Sequence, residues 1–317
     1  MRRRVTPGGL FLLIALLTAA CAPLQTERLR QTAEAFPRPV ELNAVPFFPQ
    51  EEYQCGPAAL ATVLGHSGIA VAPEALAPEV YLPERQGSLQ VELIAAARRH
   101  GRVPYVLRPQ IESLAAEVAS GNPVLVLQNL GLSWYPKWHY AVVVGFDLPN
   151  NEVILRSGRE RRRVTPMDLF ERTWRRGDYW AIAVLPPERL PYTAEEIPYL
   201  QSVTALERIA RWEEAARAYG AALARWPRSR GAQMGLGNAR YALGDVRGAE
   251  EAFRRATRNH PDAAPAFNNL AQALADQHRW AEAERAARRA VELGGPLMET
   301  YEQTLELIRS RARESAR

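Results

Sequence analysis

The sequence predicts an α+β domain followed by an all-α domain of helical repeats. Between residues 41 and 188, Pro-bounded extended segments, short helical patterns and one long apolar strand pattern alternate. From residue 198 onward, helices rich in Ala, Arg and Glu repeat at a fixed spacing. A chain of 317 residues with 47% apolar residues can fill two separate cores.

We divide the chain into six parts on these patterns. They are a lipoprotein signal peptide (1–21), a linker (22–40), the α+β domain (41–188), a second linker (189–197), three repeats (198–296), and a C-terminal capping helix with a basic tail (297–317). The Pro-rich stretch 186–198 marks the change of pattern between the two domains.

Charge and residue usage exclude several function classes. The 40 basic and 35 acidic residues leave a net charge of +5, and the arginines alternate with glutamates as on solvated helix faces, so no nucleic-acid partner is expected. The only lysine, Lys137, follows Tyr135-Pro136 rather than a glycine-rich loop, which excludes a Walker ATP site. The scattered histidines and two cysteines predict neither metal nor cofactor.

The first 21 residues have the features of an export signal. Three arginines at 2–4 precede an apolar run at 10–17, which is too short to span a membrane, and then Thr18-Ala19-Ala20-Cys21. This ending resembles the bacterial lipobox, although Thr18 replaces the usual Leu. The resemblance implies lipidation of Cys21 and, with Ala22 next, an outer-membrane lipoprotein facing the periplasm. The alternative is ordinary signal cleavage that leaves Cys21 free.

The second cysteine, Cys55, is the candidate nucleophile. It lies at the start of a helix predicted to run to about Leu64, with Pro57 in the first turn, where its missing N–H costs nothing. We expect the helix N-terminus to stabilise a thiolate there. If Cys21 is acylated, Cys55 is an unpaired thiol in an exported protein, and nucleophilic catalysis explains it.

A glutamine shortly before the cysteine can stabilise the oxyanion that forms when the thiol attacks a carbonyl. Its side-chain amide would act together with the N–H of Cys55. Gln50 is the favoured candidate, and Gln54 is the alternative. A residue adjacent to the cysteine normally directs its side chain away from that oxyanion.

The base is expected to be His139. His66 would lie about 16 Å along the cysteine's own helix, and His100 ends a surface helix. His139 heads a buried strand at 138–147, and a turn at 147–151 leads into a second strand at about 153–156. This hairpin returns Ser157 to the side of His139, where its hydroxyl is expected to accept the Nδ1 proton.

These segments resemble the papain-like peptidases that remove double-glycine leaders from bacteriocins. The resemblance covers residues 45–186 and rests on Gln50, the run Cys55-Gly56-Pro57-Ala58-Ala59-Leu60, residues 121–126, and the run from His139 to Asp147. It implies a papain-like fold and a Cys55, His139 and Gln50 site. Two departures stand out: Gln50 precedes the cysteine by five positions where the family usually has six, and Ser157-Gly158 replaces the family's Asp-Pro.

The C-terminal domain shows the period of tetratricopeptide repeats. Ala215, Ala249 and Ala283 are 34 residues apart, and Trp212, Val246 and Trp280 follow the same spacing. Such arrays present a concave face that binds polypeptides, so we expect the repeats to recruit a substrate or partner protein. The alternative is a scaffold that only holds the first domain away from the membrane.

Three functions follow from these observations. The first is a cell-envelope cysteine peptidase whose repeats recruit its substrate. The second is a weakly active or inactive lipoprotein adaptor, because Ser157 stands where an orienting carboxylate is expected. The third is a cell-wall amide hydrolase, although related papain-like lipoproteins carry Asp-Cys-Ser-Gly where this chain has Gln54-Cys55-Gly56-Pro57.

Overall fold

The computed structural model describes residues 25–31, 39–50 and 54–315. The predicted signal peptide with Cys21, residues 22–24 and 32–38 of the predicted linker, and the last two residues of the predicted tail lie outside these ranges. Residues 25–31 of that linker form a helix. Within them, no helix is both long and apolar enough to cross a bilayer.

The described residues form thirteen helices and nine strands. The helices are α1 (Gln25–Gln31), α2 (Cys55–His66), α3 (Pro73–Val80), α4 (Gln90–Arg99), α5 (Ile111–Ala119), α6 (Met167–Arg175), α7 (Glu196–Glu207), α8 (Trp212–Arg225), α9 (Arg230–Ala242), α10 (Val246–Asn259), α11 (Ala264–Ala275), α12 (Trp280–Leu293) and α13 (Met298–Ser315). The strands are β1 (Val40–Glu41), β2 (Tyr81–Leu82), β3 (Gly87–Ser88), β4 (Val103–Val106), β5 (Val124–Asn129), β6 (Trp138–Asp147), β7 (Glu152–Ser157), β8 (Glu160–Pro166) and β9 (Ala181–Leu185).

A seven-stranded sheet forms the centre of the first domain. Its strand order is β4-β9-β5-β6-β7-β8, with β1 also paired to β6. Every residue of β5 is buried, as its continuous apolar run predicts for a central strand. The Arg-rich β8 is almost fully exposed, and charged side chains of this kind protect an edge strand from pairing with other chains.

Helices cover both faces of this sheet. Leu125 and Leu127 of β5 pack with α2, α3 and α4 on one face. Val124 and Val126 point to the other face, where they join α5, α6 and the first repeat helices in one core. Because side chains alternate along a strand, one apolar run serves both layers.

The two elements that the sequence assigns to the site are present. Helix α2 begins at Cys55 as predicted and continues one half-turn past Leu64, with Gly68 in the left-handed region at φ 91°. Strands β6 and β7 form the predicted hairpin, and the side chain of Asp147 accepts a hydrogen bond from Asn150 N (3.1 Å) in the turn. The prediction of both elements is confirmed.

The C-terminal domain consists of three helix pairs and a final helix. Trp212, Val246 and Trp280 begin the second helix of the successive pairs. The alanines at 215, 249 and 283 are fully buried, as expected for positions where helices approach closely. The predicted α+β domain followed by an all-α repeat domain is confirmed.

The segment 189–197, predicted as a linker, is held firmly against the first domain. The fully buried Glu117 of α5 accepts hydrogen bonds from Tyr192 N (3.2 Å), Thr193 N (2.7 Å) and Thr193 Oγ1 (2.6 Å). Tyr199 and Val203 of α7 then continue the core beneath the sheet. The repeats are therefore packed onto the sheet domain.

Candidate functional site

Helix α2 places Cys55 at its N-terminal end, beside the central sheet. Cys55 is the first helical residue, Gln54 is the N-cap, and the Gln54 side chain makes no capping hydrogen bond. The next residues, from Gly56 to Leu64, are all buried, so packing fixes the helix rigidly behind the thiol. A Cβ on Gly56 would collide with the Ser88 hydroxyl of β3, which explains a glycine directly after the cysteine.

The thiol lies against strand β6. The main chain of Tyr140, which directly follows His139, contributes a hydrogen bond that lowers the pKa of Cys55, as do the main-chain groups of Gly56 and Cys55. Burial has the larger and opposite effect, so the pKa of Cys55 is raised overall. The helix N-terminus therefore favours the thiolate as expected, but desolvation has the larger effect and keeps the thiol protonated at neutral pH.

His139 stands beside Ser157 as the hairpin count predicts. Its Nε2 lies 2.8 Å from Ser157 Oγ. The expectation that Nδ1 would face Ser157 is wrong, because strand geometry fixes the position of the ring but does not fix which nitrogen faces which neighbour. With Nε2 engaged by Ser157, Nδ1 is the other ring nitrogen, and its proton exchange with Cys55 stays a prediction.

The imidazole of His139 is neutral at pH 7. Burial lowers its pKa to about 4, and the positive charges of Arg163 and Lys137 act in the same direction. Ser157 offers a dipole in place of a full negative charge, so it does not reverse this shift. Cys55 and His139 thus rest as an uncharged thiol and an uncharged base.

Gln50 joins the segment before the nucleophile to the open end of the hairpin. Its main-chain N donates to Gly158 O (2.9 Å), and its side-chain Oε1 accepts from Gly158 N (2.9 Å). Its Nε2 donates to Tyr140 O (3.3 Å), which uses one of the two amide hydrogens. The second hydrogen is left for an oxyanion, and this role stays a prediction.

Two site neighbours were not identified from the sequence. The Tyr140 hydroxyl donates to Ser88 O (3.1 Å), which ties β3 to β6 next to Cys55. The Ser88 hydroxyl is buried and makes no hydrogen bond with any residue that the structure describes. Tyr140 could have been noticed as the neighbour of His139, whereas nothing in the sequence marks Ser88.

The other histidines of the first domain have structural partners. His66 Nε2 lies 3.0 Å from Gly121 O. His100, which directly follows α4, has its Nε2 3.0 Å from Oε1 of Glu79 in α3. Among the residues described, no cluster of His, Cys, Asp and Glu has the arrangement of a metal site.

Comparisons with known proteins agree with this architecture. Residues 42–181 match the model of the Peptidase_C39 like family, and residues 200–264 and 235–296 match a tetratricopeptide repeat model. No curated protein sequence matches the chain. The chain therefore contains a C39-peptidase-like domain followed by tetratricopeptide repeats.

Solved structures with similar folds cover one domain each. A putative C39-like peptidase from Bacillus anthracis is 20% identical, with a TM-score of 0.40, over 47% of this chain and 98% of its own. The Yersinia enterocolitica type III secretion chaperone SycD, in complex with a peptide of the translocator YopD, is 19% identical, with a TM-score of 0.34, over 35% of this chain and 90% of its own. The Sgt2 TPR domain from Aspergillus fumigatus is 22% identical, with a TM-score of 0.36, over 39% of this chain and 83% of its own.

Proposed function

We propose that this protein is a cysteine peptidase of the bacterial cell envelope, anchored by a lipid on Cys21, whose repeats recruit a polypeptide substrate. The observation that carries the proposal is the meeting of three elements at one point. The Cys55 thiol at the start of α2 lies against the main chain of Tyr140, and the adjacent His139 is hydrogen-bonded to Ser157.

The reaction begins with two uncharged groups. As Cys55 Sγ attacks the substrate carbonyl carbon, its proton moves to His139 Nδ1, and the carbonyl π electrons move to oxygen. The free hydrogen of the Gln50 amide and the N–H of Cys55 stabilise this oxyanion. Proton transfer during attack suits a buried pair, because no isolated charge has to persist in the resting site.

The tetrahedral intermediate then collapses. The C–N bond breaks, and His139 gives its proton to the departing amine, which leaves a thioester on Cys55. A water molecule loses a proton to His139 and attacks the thioester, and the proton then passes to the cysteine sulfur as the new carboxyl group leaves. Ser157 orients the ring throughout through its bond to Nε2.

Peptide cleavage in the presence of ¹⁸O-labelled water tests this function. The full chain is incubated with a peptide mixture, and new C-termini are identified by mass. We expect one labelled oxygen at each new carboxyl group, and no cleavage by Cys55→Ala. Cleavage that persists in Cys55→Ala would contradict the proposal.

One observation favours a second function, that of an adaptor without chemistry. Ser157 cannot supply the negative charge that stabilises a protonated imidazole. The pKa of His139 is lowered by burial and by the positive charges of Arg163 and Lys137. An adaptor would capture polypeptides without producing new termini, so the same peptide experiment separates the two functions. The cell-wall amide hydrolase hypothesis would require release of peptides from peptidoglycan instead.

A further inference from the structure

The loop between β5 and β6 carries the most prominent exposed apolar surface near the site. Every residue from 132 to 138 is exposed, with Trp134 at 81% and Tyr135 at 73%. Leu130, Leu132 and Trp138 are also exposed. We call residues 130–138 the aromatic loop. A contiguous patch of large exposed apolar side chains indicates a surface that binds a partner or a membrane.

The aromatic loop is built to hold these side chains outward. Leu132 and Tyr135 exchange main-chain hydrogen bonds (3.0 and 3.2 Å), and Leu130 N donates to Lys137 O (2.9 Å). The side chain of Asn129 accepts from Gly131 N and Lys137 N (both 2.9 Å). Gly131 leaves no room for a side chain against the main chain of Tyr135 and Lys137. These bonds pair the main-chain N–H groups of residues 130–132, 135 and 137, which lowers the cost of bringing this part of the loop into an apolar medium.

The strand order puts this loop at the same edge of the sheet as the start of α1. Strands β4 and β5 both run antiparallel to β9, which lies between them, so their C-terminal ends share one edge. Pro109 and Ile111 follow β4 closely in the chain, and both contact Gln25 at the start of α1. Gln25 Nε2 donates to Pro109 O (3.0 Å), and Gln25 Oε1 accepts from Ile111 N (2.7 Å). Two strand spacings, about 10 Å, separate β4 from β5.

Helix α1 is fixed at that edge. The fully buried Glu171 of α6 accepts hydrogen bonds from Gln25 N and Thr26 N, both at 2.7 Å. Only four residue steps separate Gln25 from Cys21, a span of at most about 14 Å. A lipid on Cys21 would therefore hold this edge of the sheet, with the aromatic loop and His139, close to the bilayer.

We propose that the aromatic loop inserts into the interface of the membrane that carries the lipid anchor, so that the Cys55–His139 site faces that bilayer. This inference rests on the proposed envelope location. Trp, Tyr and Leu with a neighbouring lysine are the residues that partition into the headgroup layer, and Lys137 is the only lysine of the chain. The loop adds a second point of contact with the bilayer beside the lipid anchor.

This arrangement selects the substrate by position. Polypeptide segments that emerge from the bilayer, or lie on its surface, would reach Cys55 directly. The competing occupant of the loop is a soluble substrate peptide. The membrane is favoured because several of the loop's main-chain N–H groups are already bonded and because α1, which follows the predicted anchor, starts at the same edge of the sheet.

Tryptophan quenching tests the insertion. The full chain is reconstituted into phosphatidylethanolamine and phosphatidylglycerol vesicles whose acyl chains carry bromine, a contact quencher. Of the seven tryptophans, we expect Trp134 and Trp138 to account for most of the quenching. The double variant W134F/W138F should lose it, whereas the matched control W212F/W280F, changed in the repeats, should retain it. Equal quenching in both variants, or none in the unchanged protein, overturns the proposal.

Two further measurements separate this inference from the functions on which it rests. The mass of the Cys21 peptide shows whether an acyl chain is present. Acylation without quenching overturns the loop insertion and leaves the envelope location intact, and quenching without acylation supports insertion independently of the anchor. If W134F/W138F keeps the quenching but cleaves soluble peptides more slowly, the loop contacts substrate and the proposal fails.

Discussion

The two domains use buried polar groups differently. In the sheet domain, Gln50, Arg156 and Ser157 are buried at the open end of the hairpin, and their hydrogen bonds join segments far apart in the chain. In the repeats, alanines fill the core, and the buried Glu250 pairs with Arg254 and Arg279, whose side chains are partly exposed. The first arrangement fixes the positions of the candidate site residues. The second builds a periodic surface.

This difference has an energetic reason. A buried polar group is costly unless it is paired, so its partners must be held in place by the whole fold. An alanine core needs only close helix packing, and each repeat contacts only its neighbours. We therefore expect substitutions at the site in the sheet domain to lower activity first, and substitutions in the core of the repeats to lower stability first.

The largest effect is expected from His139→Gln. Loss of the base should lower kcat/KM by about 10³-fold or more, with little change in folding. The matched control is His66→Gln, in the same domain, whose ring bonds only Gly121 O. Peptide cleavage rates of both variants check this. A His139→Gln protein that keeps a tenth of the activity would show that His139 is not the base.

The next effect is a loss of stability in acid that depends on His139. Its pKa is about 4 in the fold, against the usual 6.5, so the unfolded chain takes up the proton first as the pH falls. The resulting stability is complete above pH 6.5 and is lost as the pH falls toward 4, by about 3 kcal/mol.

Denaturant unfolding across this pH range, compared between the unchanged protein and His139→Gln, isolates the contribution of this residue. The loss in acid should be smaller in the variant by the amount that His139 contributes. Parallel pH curves for the two proteins would mean that the imidazole is not desolvated in the fold.

A smaller effect is expected in the repeats from Gly237→Ala. A Cβ at this position would enter the space of the Phe253 ring, so unfolding free energy should fall by about 1–3 kcal/mol while intrinsic catalysis persists. Gly220→Ala is the matched control, since a Cβ there meets open space, and it should stabilise by about 0.5–1 kcal/mol. Equal effects of the two changes in urea unfolding would contradict the close packing of Phe253.

The smallest effect is expected from Ser157→Ala. Removing one hydrogen bond to His139 Nε2 should cost about 1 kcal/mol, or roughly fivefold in kcat/KM. Ser202→Ala in α7, whose hydroxyl bonds only Pro198 O, should leave the rate unchanged. A complete loss of activity in Ser157→Ala would show that Ser157 takes part in the chemistry instead of orienting the ring.

The sequence predicted the elements of the site better than their interactions. The helix start at Cys55 and the return of Ser157 to His139 follow from local patterns and residue counting, and so does the repeat period. The ring nitrogen that faces Ser157 does not, because it depends on side-chain rotation. The raised pKa of Cys55 depends on burial by segments distant in the chain, and the clamps by Glu117 and Glu171 depend on contacts that carry no periodic signal.

The rate of Cys55 alkylation by iodoacetamide tests the uncharged Cys55–His139 pair most directly. The full chain and His139→Ala are treated from about pH 4 to about pH 10, and the modified Cys55 peptide is measured by mass, so that Cys21 does not contribute. The structure predicts slow reaction near pH 6 and a rate that rises in the alkaline range in both proteins. A fast plateau well below pH 8 that disappears in His139→Ala would contradict it, because it would reveal a resting thiolate–imidazolium pair.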